Sequence, residues 1–248
     1  MILETRGLTV SFGGHRAVDD VSCRFTPGSL TAIVGPNGAG KTTYFNLISG
    51  QIAASAGQVL LDGRDLSRLG AAARSRAGLG RAFQLTHLFP NLSVAENVRL
   101  AIQARAGIGL NVWSIWSDRH DLIDEADQIL MRTALLDRRM ATASSLSHGD
   151  QRKLEVALLL AMKPAVFMFD EPTAGMSIDE VPVILDLIRS IKAQSDKTIL
   201  LVEHKMDVVR ELADRIVVLH NGKLAADGSP EQVIASPIVQ QAYLGGTA

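Results

Sequence analysis

The sequence predicts an α/β protein with a three-layer core around a parallel sheet, an antiparallel β subdomain and an inserted α-helical subdomain. The parallel sheet is indicated by short apolar runs that lack alternation, as buried parallel strands do. These runs are separated by helical patterns that include 42–49 and 179–194. The runs lie at 30–35, 165–170, 198–203 and 215–220.

Two other patterns complete the predicted fold. Leu8, Val10 and Phe12 alternate with polar residues, as do Val21, Cys23 and Phe25, and the run 57–66 follows; these indicate antiparallel strands. The pattern becomes mostly helical from about residue 85 to 163 and interrupts the α/β alternation. We therefore expect one domain over 1–248, with 1–84 and 164–248 forming the α/β core and antiparallel subdomain, and 85–163 the helical subdomain. Asn221-Gly222 between two strand-like runs predicts a tight hairpin.

Composition excludes several classes of protein. The 248 residues are 47% hydrophobic and carry a formal net charge of −1 without basic runs, so no overall field favours nucleic acid. The single cysteine, Cys23, cannot form an internal disulfide, which suits a reducing compartment. No signal peptide is visible, and no stretch approaches 18 uncharged apolar residues. Any role at a membrane is therefore expected to be peripheral.

The segment "GPNGAGKTT", residues 35–43, fits the phosphate-binding pattern G-x-x-x-x-G-K-[ST]. It follows a predicted buried strand and opens a predicted helix, the context that a P-loop requires. Its glycines let backbone N–H groups surround phosphate oxygens, Lys41 can reach the β- and γ-phosphates, and Thr42 offers a hydroxyl to Mg²⁺. The predicted ATP ligands in this loop are Gly35, Pro36, Asn37, Gly38, Ala39, Gly40, Lys41, Thr42 and Thr43.

A pair of acids ends the run 165–170 and supplies the second half of a nucleotide site. Asp170 and Glu171 are predicted at the tip of a strand. Asp170 can hold the Mg²⁺ shell, and Glu171 can orient and deprotonate an attacking water. A plain loop would also explain two adjacent acids, but less readily beside a P-loop.

With these motifs and "LSHGDQ" in order, the whole chain resembles the ATP-binding cassette (ABC) ATPases of membrane transporters, which are P-loop NTPases with a RecA-like core. The resemblance implies that Phe12 stacks on adenine, although a core residue is the other reading. It implies that Gln84 contacts Mg²⁺ or water between the subdomains and that His204 reaches the γ-phosphate. ATP and Mg²⁺ are the implied cofactors, and Lys41, Glu171 and His204 the implied catalytic residues.

The family resemblance also explains a second phosphate-suited helix start at 147–150. In such ATPases two chains pair head to tail, and this signature segment of one chain covers the ATP of the other. Ser147, His148, Gly149 and Asp150 are therefore the expected contacts to a partner's ATP. This segment departs from L-S-G-G-Q at His148 and Asp150, and Ser177 stands where S-A-L-D has its aspartate.

These departures resemble one branch, the ATPases of branched-chain amino acid importers (LivG-like). "RAFQLTHLFPNLSVAENV" at 81–98, the hairpin and helix after Asp214 and the ending "IVQQAYLG" at 238–245 also resemble that branch. The resemblance implies an ATPase that powers uptake of branched-chain amino acids or related small amino acids or amides. The alternatives are the ATPase of lipopolysaccharide export and a soluble ABC ATPase outside transport.

The implied partners are a second ABC ATPase subunit, multi-spanning permease subunits and, indirectly, a solute-binding protein, at the cytoplasmic face of the membrane. Residues 85–92 are expected to line the groove that receives the permease. Trp113 and Trp116, in the segment 105–140, either dock a membrane subunit or fill the subdomain core. The residues do not reveal the solute or whether the dimer is homo- or heteromeric.

Overall fold

The computed structural model describes residues 1–82, 88–107 and 120–236. The chain divides into two compact units. The first comprises Met1–Arg81, Ala165–Glu171 and Ile191–Ala248; the second comprises Ala82–Pro164 and Pro172–Ser190. The predicted helical subdomain was 85–163, and the second unit differs from it by also taking in Pro172–Ser190.

The parallel sheet of the first unit contains the predicted apolar runs. Within the described residues its strand order is β10-β9-β3-β8-β7-β6, with β3/β8, β3/β9 and β7/β8 parallel and β9/β10 antiparallel. The central strands are buried at every position because both faces of the sheet are covered. The strands are β3 (Leu30–Val34), β6 (Leu79–Ala82), β7 (Val166–Asp170), β8 (Thr198–Val202), β9 (Arg215–His220) and β10 (Lys223–Gly228).

Strand β6 was not predicted, because four residues containing a glycine and an arginine carry little strand signal. The hairpin between β9 and β10 was predicted correctly. Asn221 and Gly222 have φ values of 49° and 76°, the left-handed conformations that a two-residue hairpin turn of this kind requires.

An antiparallel sheet forms the rest of the first unit's β structure. Its order is β2-β1-β4-β5 in the described chain, from β1 (Leu3–Phe12), β2 (His15–Phe25), β4 (Ala56–Leu61) and β5 (Arg64–Asp65). Leu8, Val10, Val21, Cys23 and Phe25 are buried, as alternation predicts. They share one core cluster with residues of α1, including Tyr44 and Phe45.

The helices have the following bounds: α1 (Lys41–Ser49), α2 (Ala71–Arg76), α3 (Val94–Ala106), α4 (His120–Arg132), α5 (His148–Met162), α6 (Val181–Lys192), α7 (Met206–Leu212) and α8 (Pro230–Ile234). Helix α3 begins with a capping box between Ser93 and Glu96, and Gly107 follows its last residue as the C-cap. The buried surface of helix α5 extends beyond one narrow apolar stripe. Leu154, Ala157 and Ala161 are buried and Leu158 is half-buried, while Val156 and Leu159 are buried as well.

An ion-pair cluster ties the three helices α3, α4 and α5 of the second unit together. Arg105 at the end of α3 donates to both carboxylate oxygens of Glu125 in α4, at 2.8 and 2.6 Å. Lys163, which caps α5, lies 2.7 Å from the same carboxylate, and Arg105 also donates to the Ala161 carbonyl at 2.6 Å. In the described chain, no helix is long and apolar enough to cross a bilayer.

Candidate functional site: a P-loop ATPase centre and a signature helix

The P-loop joins β3 to α1, and the backbone of the same unit requires glycine at both ends of it. A Cβ atom on Gly35 would lie 2.2 Å from the Leu219 carbonyl oxygen. Gly40 has φ 96°, and a Cβ there would lie 2.3 Å from the Ala17 carbonyl oxygen. Strands β9 and β2 therefore press directly on the loop and fix its path.

The start of α1 is suited to an anion. Gly40 is the N-cap residue and supplies no side-chain acceptor to the first turn. The first N–H groups of a helix have no acceptor within that helix, and its dipole adds positive charge there. Asn37, Gly38 and Thr42 are exposed, whereas Ala39 is buried. The loop can thus bind phosphate oxygens with backbone N–H groups.

Lys41 lies inside the loop with only 6% of its surface exposed. Its Nζ donates to the carbonyl oxygens of Gly35 at 2.7 Å and Pro36 at 2.9 Å. Burial lowers the pKa of Lys41 below its usual value, and the negative charges of Glu171 and Asp170 partly oppose this change. The ammonium group is therefore within electrostatic reach of the two carboxylates.

The acids and the histidine follow neighbouring parallel strands. Asp170 ends β7, Glu171 follows it, and His204 comes two residues after the end of β8. Glu171 has φ 49° and donates its N–H to the Val202 carbonyl at 2.9 Å. This conformation brings its Oε1 within 2.6 Å of His204 Nε2. Sequence reasoning placed both residues in the site but did not foresee that they contact each other.

Glu203 fixes the turn that carries His204, and sequence reasoning missed it. Its side chain is buried, and its Oε2 accepts hydrogen bonds from the backbone N–H groups of His204 at 2.7 Å and Lys205 at 3.4 Å. An acid at a strand end is too common to have marked this role.

Arg81 is a second residue that sequence reasoning missed. Its NH2 group lies 2.6 Å from Asp170 Oδ2, and both side chains are buried. Its NH1 group donates to Asn46 at 2.7 Å and Ser49 at 3.0 Å, and its guanidinium lies over the Phe45 ring. Arg81 thereby fastens the Asp170 carboxylate to α1. A lone arginine in a short strand carries no signal that could have revealed this.

Oxygen atoms in this unit are of the kind that Mg²⁺ prefers, which are carboxylate and hydroxyl oxygens together with phosphate. Thr42 presents an exposed hydroxyl at the start of α1, and Asp170 ends β7. Gln84, the third predicted metal contact, lies outside the described residues, as do Trp113, Trp116 and 238–245.

Phe12 ends β1 with 51% of its surface exposed. The alternative that it is a core residue is therefore wrong. Contact with adenine stays a prediction, and the exposure leaves the ring accessible for it.

In the second unit, Ser147 caps α5, and its Oγ accepts a hydrogen bond from the Asp150 N–H at 3.1 Å. Ser147 and His148 are exposed, and Gly149 is buried in the first turn. Asp150 pairs with Lys153 at 2.9 Å. The predicted contact of these four residues with a partner's ATP is thus compatible with the exposed start of α5, and it stays a prediction.

A P-loop between a parallel strand and a helix, with an acid pair at the end of β7 and a histidine after the neighbouring strand β8, defines a P-loop ATPase. Residues 18–174 match the family model for ABC transporters. The chain belongs to that family, as an ATP-binding subunit, and such subunits bind nucleotide and hydrolyse ATP. Residues 223–248 match the model for branched-chain amino acid ATP-binding cassette transporters.

Individual relatives agree with the family models over nearly the whole chain. The chain is 36% identical to the high-affinity branched-chain amino acid transport ATP-binding protein LivG of Escherichia coli (strain K12), over 98% of both chains. It is 32% identical to the lipopolysaccharide export system ATP-binding protein LptB of Acidithiobacillus ferridurans, over 98% of this chain and 97% of that one. The crystal structure of MJ1267, an ATP-binding cassette of an ABC transporter, in its ADP conformation superposes with a TM-score of 0.83 at 29% identity, over 98% of each chain. The predicted fold class and family are confirmed.

Proposed function

We propose that this chain powers an importer for branched-chain amino acids or related small amino acids or amides. The observation that carries the proposal is the match of residues 223–248 to the branched-chain amino acid cassettes, beyond the general ABC match of 18–174. The higher identity to LivG than to LptB agrees with it.

The P-loop binds the triphosphate of ATP in the proposed mechanism. Backbone N–H groups at the start of α1 receive phosphate oxygens, and the Lys41 ammonium offsets their charge. Because Lys41 Nζ is held by Gly35 and Pro36 at 2.7 and 2.9 Å, its position is fixed before phosphate arrives. Thr42 and Asp170, with Gln84, are the residues that would hold Mg²⁺, which offsets charge on the β- and γ-phosphates when bound.

Glu171 and His204 act on the attacking water. The Glu171 carboxylate accepts a proton from the water while the water oxygen bonds to the γ-phosphorus. The bond between the γ-phosphorus and the bridging oxygen of ADP breaks. The 2.6 Å contact with His204 Nε2 holds Glu171 Oε1 in one orientation. His204, with 41% of its side chain exposed, has a face available for the γ-phosphate.

A second cassette completes the site in this proposal. Ser147, His148, Gly149 and Asp150 at the start of α5 cover the ATP bound to the P-loop of the partner. Two head-to-tail cassettes close on two ATP molecules, and closure shifts the permease subunits between their two states. In the cell the second cassette is expected to be a similar but different chain, whereas isolated Glu171→Gln chains are expected to pair with each other when ATP is bound.

Peripheral attachment to the cytoplasmic face of the membrane follows from docking to permease subunits. Phe89 exposes 55% of its surface, so its ring is accessible to a permease subunit. We expect Phe89→Asp to abolish transport while leaving ATP binding intact. Unchanged solute uptake by that variant would remove this placement of the permease.

The test is a capture experiment in the native host. Tagged Glu171→Gln chain is expressed, membranes are solubilised with ATP and Mg²⁺, and co-purifying proteins are identified by mass spectrometry. Lys41→Ala is the matched control, because it disables phosphate binding. Recovery of a second cassette with two multi-spanning permeases, dependent on ATP and on Lys41, is expected.

Solute identity is then tested by uptake. Replacing the native gene with Glu171→Gln should abolish uptake of radiolabelled leucine, isoleucine or valine, or of a small amide. Lipopolysaccharide-export subunits among the captured proteins, with normal amino acid uptake, would instead support the lipid-export alternative. Capture of soluble proteins alone would remove the transport function and leave the ATPase chemistry.

A further inference from the structure

Ser177, which stands where the family pattern has an aspartate, is engaged within its own chain. Its backbone N–H and its hydroxyl donate to Glu180 Oε2 at 3.2 and 3.0 Å, and Glu180 N–H donates to the Ser177 carbonyl at 3.1 Å. These hydrogen bonds from Ser177 hold the pKa of Glu180 below its usual range, and Lys153 adds to the effect while Asp150 opposes it. Glu180 is therefore a fixed carboxylate just before α6.

The same carboxylate reaches the start of the signature helix α5. Glu180 Oε1 lies 3.6 Å from Lys153 Nζ, which also pairs with Asp150 at 2.9 Å. A Cβ atom on Gly149 would lie 2.2 Å from Glu180 Oε2 and 2.4 Å from its carboxyl carbon. The carboxylate thus occupies the space beside the Gly149 Cα, and a side chain at that position would have to displace it.

The division of the chain into compact units is a separate observation that agrees with these contacts. Pro172–Ser190 belongs to the unit that contains α5, and the boundary falls between Glu171 and Pro172. The segment that directly follows the catalytic acid therefore belongs with the signature helix.

We propose that Glu180 is a positioning residue that fastens the segment following Glu171 to the start of α5. The proposal rests on the proposed function of residues 147–150 at a partner's ATP. When that ATP binds at the start of α5, the contacting residues move together: Gly149, Lys153 and Glu180. The six residues from Pro172 to Ser177 transmit this movement to the catalytic carboxylate. Glu180 thus links binding of a partner's nucleotide to the orientation of Glu171.

The test is a double-mutant cycle with Gly149→Ala and Glu180→Ala, in the Glu171→Gln background that retains ATP. The added methyl of Gly149→Ala must displace the Glu180 carboxylate, so both substitutions break the same contact. Each is expected to raise the protein concentration needed for ATP-driven dimerisation by about tenfold, and the double variant is expected to be no worse than either single variant. Dimerisation is measured by analytical ultracentrifugation.

Further readouts separate positioning from a general loss of stability. Affinity of the monomer for a fluorescent ATP analogue should be unchanged, because the P-loop belongs to the other unit. With Glu171 intact, Glu180→Gln should lower kcat with little change in KM, because it keeps the shape of the side chain and removes its charge. Asp186→Ala is the matched control: this carboxylate forms an ion pair along its own helix α6 with Arg189, and its side chain is 69% exposed. It should dimerise normally.

The outcomes are distinguishable. If the parent Glu171→Gln chain does not dimerise with ATP, the proposed role of residues 147–150 fails, and this inference fails with it. If the parent dimerises and folded Glu180→Ala dimerises equally well, only the role of Glu180 is overturned. Additive defects in the double variant would also overturn it, because Gly149 and Glu180 would then act separately.

Discussion

Glu125→Gln is expected to destabilise the helical unit in a pH-dependent manner. Glu125 receives three short contacts, two from Arg105 and one from Lys163, and its side chain is only 19% exposed. Hydrogen bonding from Arg105, with a smaller contribution from Lys163, lowers the pKa of Glu125 from 4.5 to about 2. The substitution removes the charge and preserves the shape of the side chain.

The magnitude follows from the change in pKa. A fall from 4.5 to about 2 corresponds to an upper limit of ~3 kcal/mol in the free energy of unfolding. Solvent near the cluster screens the charges, so we expect ~1–2 kcal/mol at neutral pH. Because the pKa is lower in the folded state, this stabilisation is fully present above pH 4.5 and is lost progressively as the pH falls toward 2.

Urea denaturation of the wild-type and Glu125→Gln proteins measures the difference directly. The difference should be largest at neutral pH and should shrink at about pH 3.5, where Glu125 in the unfolded chain is protonated. Asp186→Asn is the control, since its exposed pair with Arg189 should contribute little at any pH. A difference that does not change with pH would refute the assignment of the stabilisation to the Glu125 charge.

Three further predictions concern the nucleotide site. Arg81→Met leaves the buried Asp170 carboxylate without this partner. It should lower the free energy of unfolding, measured by urea denaturation, by ~3–5 kcal/mol. A loss under ~1 kcal/mol would contradict the buried pair. Gly35→Ala places a methyl group against a backbone carbonyl of β9 and should abolish binding of a fluorescent ATP analogue, whereas Gly70→Ala, with open space around it, should bind normally. Phe12→Ala should weaken that binding by ~1–3 kcal/mol without changing the thermal midpoint, because the ring is half-exposed; Phe12→Trp should restore it.

Local patterns in the sequence were sufficient to predict the central part of the fold and much of the candidate site. The P-loop could be predicted because its residues are contiguous and its flanking apolar run and helix are short-range signals. Asp170 and His204 could be placed at strand ends because Asp170 ends one apolar run and His204 follows another. The hairpin at Asn221-Gly222 was equally local.

The contacts that orient these residues could not be predicted in the same way. Arg81 and Asp170 are 89 positions apart, and their pairing depends on how β6 and β7 lie in the sheet. The position of Glu180 beside Gly149 joins residues from two separate segments of the second unit. Neither arginine nor glutamate has a spacing that marks such a role.

The sequence by itself determined the class of the protein, the phosphate loop and the acid that follows β7, because these depend on contiguous residues and on strand ends. Only the tertiary structure decided which side chains hold them in place. Arg81 on Asp170, His204 on Glu171 and Glu180 on Gly149 are contacts between distant segments. Their partners are chosen by packing of strands and helices, which no local pattern encodes.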